Sequence, residues 1–170
     1  ELMHDASLSE MTRILDRWQG GAHLLDVGSY DVNGTYRPIV QRHGWAYTGL
    51  DLSAGPNVDV VAADPYHFPF ADNAFDIVIS GSTMEHVQAI WLWVPELVRV
   101  LRPGGMLAII THTRWEYHRY PVDCYRILPD GMSYLFDLTG KLESYDIRMY
   151  NDTDISGVAF KVQARQVINR

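Results

Sequence analysis

Short apolar runs alternate with segments of helical periodicity along most of the chain, and this alternation restricts the fold more than any other feature. Several of the runs are almost continuously apolar, as expected of strands that are buried on both faces of a sheet. The alternation therefore predicts a parallel sheet with helices on both faces. The predicted parallel strands are residues 23–27, 47–52, 58–62, 75–80 and 106–111.

Capping and stop signals predict where the helices begin and end. Ser7 and Glu10 form a capping box, which predicts that the first helix begins at residue 7, and two glycines predict its end at residues 20–21. Pro95 lacks a backbone donor and is expected to begin or kink its helix. The turn residues 102–105 are expected to close that helix. The predicted crossover helices are residues 35–43 and 90–101.

The pattern changes after the fifth strand. A segment rich in aromatic and basic residues, 113–128, leads to a helix that begins near Pro129. Two strand-like runs follow, residues 142–149 and 155–163, joined by the short polar segment 151–154. So short a connection predicts an antiparallel hairpin, because a parallel return needs a dozen residues or more.

Length and charge restrict the classes of protein that remain. A chain of 170 residues suits one domain. Its formal net charge of −7 disfavours nucleic acid and anionic membranes as partners. Cys124 is the only cysteine, so no internal disulfide forms, and no apolar run is long enough for a membrane span. We expect a soluble, cytoplasmic protein, either a homodimer or one part of a longer chain.

Acidic residues lie at or just beyond the ends of the first three predicted strands. Asp26 and Gly28 end the first strand, Asp51 ends the second, and Asp64 follows the third. Ligands of open α/β sheets bind beyond the carboxyl ends of the strands, where an acid after the second strand accepts the hydroxyls of a ribose. A further carboxylate can accept a hydrogen bond from the amine of a purine. These positions together predict an adenosine site.

Five motifs in order carry a family resemblance: "LLDVGS", "YTGLDLS", "FPFADNAFDIVIS", "MEHV" and "LVRVLRPGGMLAII". With this spacing the chain resembles class I S-adenosylmethionine-dependent methyltransferases of the type 11 kind. It is most similar to small-molecule enzymes that carry "DVGSxDVNGxYRP" and "YPxDxxR" and are encoded among sugar-modifying enzymes. The resemblance implies a Rossmann-like α/β fold with a seven-stranded, mostly parallel sheet in the order 3-2-1-4-5-7-6, ending in an antiparallel hairpin.

The resemblance also implies one domain over residues 1–170 and S-adenosylmethionine as its cofactor. Its predicted segments are an N-terminal helix (1–22), a cofactor-binding core (23–112), an acceptor loop (113–128), and a C-terminal helix and hairpin (129–170). Tyr30 departs from the glycine-rich turn that is usual after the first strand, which leaves the backbone contacts of that turn open. The implied cofactor-binding residues are Asp26, Gly28, Ser29, Tyr30, Asn33, Asp51, Leu52, Asp64, Pro65, Ser80, Gly81 and Met84.

Methylation of a hydroxyl requires alignment and a proton acceptor, and histidine is the first candidate for the proton acceptor. His118 ranks first because Asp123 and Arg126 follow it in "HRYPVDCYR", and His86 and His112 come next. Asp123 is a further catalytic candidate, as a residue that orients the base or the acceptor. A lone histidine is more often structural, so the choice among the three stays open.

The acceptor loop combines aromatic faces, which suit sugar rings, with arginines, which suit phosphate or carboxylate groups. We expect a small acceptor such as a sugar or a nucleotide sugar, and the spacing of His and Asp in the loop does not match a zinc site, so no metal is predicted. The predicted acceptor-binding residues are Trp115, Tyr117, Arg119, Tyr120 and Arg126.

Two other classes of function stay open at this point. An NAD-dependent oxidoreductase also uses an acid after the second strand, although the sequence lacks G-x-G-x-x-G. A cofactor-binding protein that is inactive alone, or that acts on a protein or nucleic acid, would have the same fold.

Overall fold

The computed structural model describes residues 3–163, which form one seven-stranded sheet with helices on both faces. The strand order is β3-β2-β1-β4-β5-β7-β6. The first five strands in this order are parallel, and β7 pairs antiparallel with both β5 and β6. The predicted order and the terminal hairpin are therefore confirmed. The strands are β1 (His23–Val27), β2 (Ala46–Asp51), β3 (Val60–Val61), β4 (Phe75–Gly81), β5 (Leu101–His112), β6 (Leu142–Met149) and β7 (Asp154–Lys161).

Four α-helices and one 3₁₀ helix connect or cover the strands in the described part of the chain. The 3₁₀ helix, Met84–His86, follows β4 directly and positions two side chains of the candidate site. Within residues 3–163, no helix combines the length and apolar character that crossing a membrane requires. The α-helices are α1 (Met3–Leu15), α2 (Arg37–Arg42), α3 (Ile90–Val100) and α4 (Pro129–Leu138).

The core consists of two apolar clusters, one on each face of the sheet. Alternate residues of β5 enter different clusters because successive strand side chains point to opposite faces. Leu107 and Ile109 pack with α3 and α4 on one face, whereas Ala108 and Ile110 pack with α1 and α2 on the other. All four side chains are buried, so β5 is covered on both sides, as its continuous apolar pattern predicts.

The first helix begins earlier than the capping box predicted. Residues Ser7 and Glu10 lie inside α1 and make tertiary contacts in place of capping hydrogen bonds. The Ser7 hydroxyl hydrogen-bonds to the Tyr36 hydroxyl, and Glu10 accepts hydrogen bonds from Arg13 and Ser156. The capping prediction was wrong because Ser7 contacts Tyr36 before α2 and Glu10 contacts Ser156 of β7.

The prediction that α3 begins at Pro95 and the prediction of a closing turn after it were also wrong. Pro95 lies within α3, on its exposed side, and the buried residues on either side of it, such as Val94 and Leu97, hold the helix against the core. Residues 102–105 do not form a closing turn outside the sheet but belong to β5, where the pairing with β4 shifts register. Gly104, with a φ of +77°, accommodates this irregularity.

Candidate functional site

A cavity of about 980 Å³ opens at the carboxyl ends of β1, β2 and β4. The parallel strands all end at this edge, so their last residues and the loops after them form its walls. The 3₁₀ helix, the end of β5 and part of the loop 113–128 also line the cavity. The volume is large enough for a nucleoside-sized cofactor together with a small second molecule.

The turn after β1 passes close to the loop after β4. Gly28 has a φ of +80°, and a Cβ atom there would lie 2.0 Å from Thr83 Oγ1. Only glycine fits at this position, because the backbone conformation is left-handed and a Cβ atom would clash with Thr83. The Gly28 and Ser29 amides donate to the Leu50 carbonyl at 2.9 and 3.1 Å. The turn is thus held by β2 and borders the cavity without leaving its first amides free.

Tyr30 stands where a glycine is usual, and its contacts explain why it is accommodated. Its backbone amide donates to Asp51 Oδ2 at 3.0 Å. Its ring packs so closely on Gly55 that a Cβ there would lie 2.1 Å from the ring. The Asp51 Oδ1 atom accepts the Leu52 amide at 2.7 Å. Tyr30 therefore positions the Asp51 carboxylate through its backbone and leaves each oxygen with further accepting capacity.

Asp26 is a buried acid on the cavity wall. Its side chain accepts a hydrogen bond from the Tyr47 hydroxyl at 2.5 Å. Burial, with a smaller contribution from the nearby Asp51 charge, raises the pKa of Asp26 to about 7, although the Tyr47 hydrogen bond opposes the shift. A positively charged group bound in the cavity would stabilise its ionised form.

Most of the predicted cofactor residues line this cavity, but three do not. Asp64 is exposed and accepts the Tyr66 amide within a turn, so it does not reach the wall. Ser80 is buried and donates to the Val27 carbonyl, and Met84 belongs to the core. The predicted residues on the wall are Asp26, Gly28, Ser29, Tyr30, Asn33, Asp51, Leu52, Pro65 and Gly81.

These residues fit the S-adenosylmethionine that the resemblance implies. The Asp51 carboxylate has lone pairs left for two ribose hydroxyls, and the half-exposed Leu52 side chain beside it offers an apolar face for the adenine. Asp26 is a suitable partner for the ammonium group. The absence of a Cβ at Gly28 lets the turn that follows Asp26 pass close to Thr83.

The three candidate histidines lie together on the part of the cavity wall that follows β4 and β5. His86 and His118 have ring centroids 4.9 Å apart, and those of His112 and His118 are 5.9 Å apart. His86 Nδ1 lies 2.6 Å from the Val122 carbonyl, and His112 Nδ1 lies 2.7 Å from Asp154 Oδ1. All three rings line the cavity. We call them, together with Glu85, the histidine wall.

Glu85 is the residue of this wall that sequence reasoning missed. Its side chain is fully buried, Oε2 accepts a hydrogen bond from the Thr111 hydroxyl at 2.8 Å, and Oε1 lies 3.3 Å from His112 Nε2. Its backbone carbonyl accepts the Cys124 amide, which anchors the loop 113–128. The sequence signal was available in "MEHV", where an acid precedes His86.

Asp154 also escaped the sequence analysis. It begins β7, and the register of the antiparallel pair places it opposite His112. Burial opposes ionisation of Asp154, but hydrogen bonds with His112 and Asn151 hold the pKa of its carboxyl below the usual range. Antiparallel pairing across forty residues of sequence cannot be inferred from local spacing.

The loop 113–128 divides into a part that faces the cavity and a part that supports it. Arg119 and Tyr120 line the cavity. Arg126 forms a bidentate pair with Asp123 at 2.7 and 2.8 Å, so these two residues hold the loop and are not on the cavity wall. The Arg126 guanidinium keeps the pKa of Asp123 well below its usual range.

The two remaining aromatic residues predicted to bind the acceptor do not line the cavity either. Trp115 stacks on the His112 ring, with centroids 5.2 Å apart. Tyr117 is 74% exposed. Trp115 therefore supports the histidine wall from outside, and Tyr117 makes no contribution to the cavity in this conformation.

Two solved methyltransferases have the same fold. A SAM dependent methyltransferase from Archaeoglobus fulgidus superposes with a TM-score of 0.76 over 92% of this chain and 94% of that chain, at 12% identity. Phosphoethanolamine N-methyltransferase 2 from Haemonchus contortus, solved with phosphomonomethylethanolamine and S-adenosylhomocysteine, gives 0.72 over 92% of this chain and 52% of that chain, at 14% identity. At these identities the likeness shows a shared fold.

Curated relatives and a family model give the closer comparison. Uncharacterized methyltransferases from Mycobacterium sp. (strain KMS) and Mycobacterium avium (strain 104) are 35% and 38% identical over 118 and 109 residues, or 60% and 56% of this chain. The matches cover 46% and 41% of those proteins, so the chain spans less than half of their length. Residues 25–109 match the methyltransferase domain model, which is half of the chain. As the resemblance predicted, the chain belongs to the methyltransferase domain family.

Proposed function

We propose that this domain catalyses S-adenosylmethionine-dependent methyl transfer to a hydroxyl group of a small acceptor, a sugar or a related metabolite. One observation carries the proposal. The acids suited to the cofactor, Asp26 and Asp51, lie at the ends of β1 and β2, and the imidazoles suited to a hydroxyl acceptor lie at or beyond the ends of β4 and β5, and both groups line a single cavity. The two substrates of a methyl transfer would therefore meet within it.

S-adenosylmethionine is the cofactor of the domain, and it supplies an electrophilic methyl group when bound. The chain provides the ribose acceptor Asp51, the ammonium partner Asp26 and the apolar side chain of Leu52. Preformed hydrogen bonds fix both acids, so little conformational entropy is lost when they bind a ligand.

The histidine wall supplies what a hydroxyl acceptor needs. A neutral imidazole can take up the proton that a hydroxyl loses on methylation, and His86 keeps Nε2 free because its Nδ1 is beside the Val122 carbonyl. His118 Nδ1 lies 3.0 Å from the Glu116 carbonyl, which leaves its Nε2 free in the same way. The wall therefore contains two oriented candidates for the base.

The loop 113–128 supports a sugar acceptor in particular. Tyr120 is 59% exposed and borders the cavity, so its ring is free to lie against a sugar face. Arg119 beside it suits a phosphate or carboxylate, as found in a nucleotide sugar. These two residues favour a small anionic or polyhydroxylated acceptor over a macromolecule.

Family membership argues against the nicotinamide alternative. A methyltransferase-fold protein without activity of its own remains the competing proposal, and turnover distinguishes the two.

Release of S-adenosylhomocysteine tests the proposal directly. The purified chain is incubated with S-adenosylmethionine and panels of sugars, nucleotide sugars and small phenols, and the product is detected by mass spectrometry. We expect turnover with members of the sugar panels, and none when the reacting hydroxyl is already a methyl ether. Cofactor binding without turnover on any panel, with methylation of added protein or nucleic acid instead, would contradict the proposed acceptor class.

A further inference from the structure

Two buried polar atoms in the histidine wall have no hydrogen-bond partner within residues 3–163. They are Glu85 Oε1 and His112 Nε2, which lie 3.3 Å apart. The Glu85 side chain is fully buried, and His112 is 1% exposed. Buried polar atoms of this kind are rare because leaving one unpaired is unfavourable by about 1–3 kcal/mol, and more for a charged group.

The Asp154 contact determines which atom of the His112 ring faces Glu85. A carboxylate only accepts hydrogen bonds, so the close contact of Asp154 Oδ1 with Nδ1 places a hydrogen on Nδ1. In a neutral ring Nε2 then carries a lone pair. A nitrogen lone pair and a carboxylate oxygen then lie 3.3 Å apart with no hydrogen between them, and a cation bound by both atoms would relieve the repulsion.

His118 provides a third potential ligand beside Glu85 and His112. One ligand atom from each of Glu85, His112 and His118 lies within 4.8 Å of the other two. The three residues come from the 3₁₀ helix, the end of β5 and the loop 113–128, so the cluster is tertiary. His118 is 35% exposed, which leaves its ring room to move towards an ion.

We propose that Glu85, His112 and His118 bind one divalent transition-metal ion of the Zn²⁺ class. Two imidazoles and one carboxylate form a ligand set of catalytic zinc sites, which keep a further position open. Ligands about 2.0–2.1 Å from a tetrahedral ion lie about 3.3–3.4 Å from one another, which matches the separation of Glu85 and His112. Asp154 orients His112 from behind, as carboxylates do for metal-binding histidines.

The ion would deepen the proposed function. The cluster borders the cavity, so the open position faces the space assigned to the acceptor, where the ion would lower the pKa of a bound hydroxyl. His86 is then the imidazole left to accept the proton. This role rests on the proposed function, but binding of the ion does not.

Calorimetric titration with ZnCl₂ tests the site without cofactor or acceptor. The chain is first stripped with a chelator, and one Zn²⁺ per chain is expected in the wild type. Glu85→Gln and His118→Ala should each weaken binding by at least tenfold. His67→Ala, at a histidine that is 74% exposed and outside the cluster, is the matched control and should bind like the wild type.

Two results would overturn the proposal. One is the absence of stoichiometric Zn²⁺ binding, and the other is an affinity that Glu85→Gln and His118→Ala leave unchanged, as expected of surface chelation. If Glu85→Gln does not fold by circular dichroism, the His118→Ala variant in the exposed loop decides. Turnover measured separately with and without chelator keeps a failed metal site distinct from a failed acceptor class.

Discussion

Replacing Asp26 with Asn should stabilise the ligand-free domain, and the gain should grow as the pH rises. Burial raises the pKa of this carboxyl from 3.8 to about 7 on folding. The native state therefore keeps a proton that the unfolded chain releases. The stability that the domain has while Asp26 is protonated in both states is fully present below about pH 4. It is lost as the pH rises to about 7, because the unfolded chain releases its proton first.

The size of the effect follows from the shift. Three pKa units correspond to about 4 kcal/mol of unfavourable free energy once Asp26 is ionised in both states. At pH 5 the Asp26 carboxyl is largely ionised in the unfolded chain but not in the folded one. The same relation then gives an unfavourable contribution of about 2 kcal/mol. Asn keeps an oxygen that can accept the Tyr47 hydrogen bond but has no charge, so it removes this contribution. The difference between variant and wild type should therefore change by about 2–3 kcal/mol from pH 5 to pH 8.

Urea denaturation at pH 5, 6, 7 and 8 measures this difference. Any constant effect of burying the Asn amide shifts all four values equally and does not disturb the trend. Asp72→Asn is a control without this trend, because a hydrogen bond from Arg99 lowers the pKa of the exposed Asp72 carboxyl, so its contribution to stability is nearly constant from pH 5 to pH 8 and is lost only at more acidic pH. A difference between Asp26→Asn and the wild type that is the same at every pH would refute the reasoning.

Three further substitutions test the cavity. Asp51→Ala should weaken S-adenosylmethionine binding by roughly 1.5–3 kcal/mol, because hydrogen bonds to a charged acceptor are lost. An unchanged affinity by calorimetry in the folded variant would show that the cofactor does not bind at Asp51. Gly28→Ala should lower the free energy of unfolding by about 1–3 kcal/mol more than Gly20→Ala, since both have positive φ but only Gly28 meets Thr83; equal urea midpoints would contradict the clash. His118→Ala should leave cofactor affinity nearly intact and slow transfer by about 100-fold or more, and a fully active variant would remove His118 from the reaction.

The sequence by itself determined the sheet. Apolar runs that are buried on both faces, helical periodicity between them and a short polar link before Ile155 are local signals, and each reflects the chemistry of neighbouring residues. The same locality made Asp26 and Asp51 recognisable, because parallel strands bring their carboxyl ends to one edge whatever their spacing in the chain. Ser7, Glu10 and Pro95 were misjudged because tertiary contacts outweighed local preference at those positions.

The arrangement of the histidine wall became visible only in the tertiary structure. Glu85, His112 and His118 lie on separate segments, and the antiparallel insertion of β7 between β5 and β6 brings Asp154 behind His112. No spacing in the sequence encodes that register, since it follows from the packing of two sheet faces around β5. Burial then changes the acidity of Asp26. The fold removes this carboxyl from water, which raises its pKa from that of an ordinary aspartate to about 7.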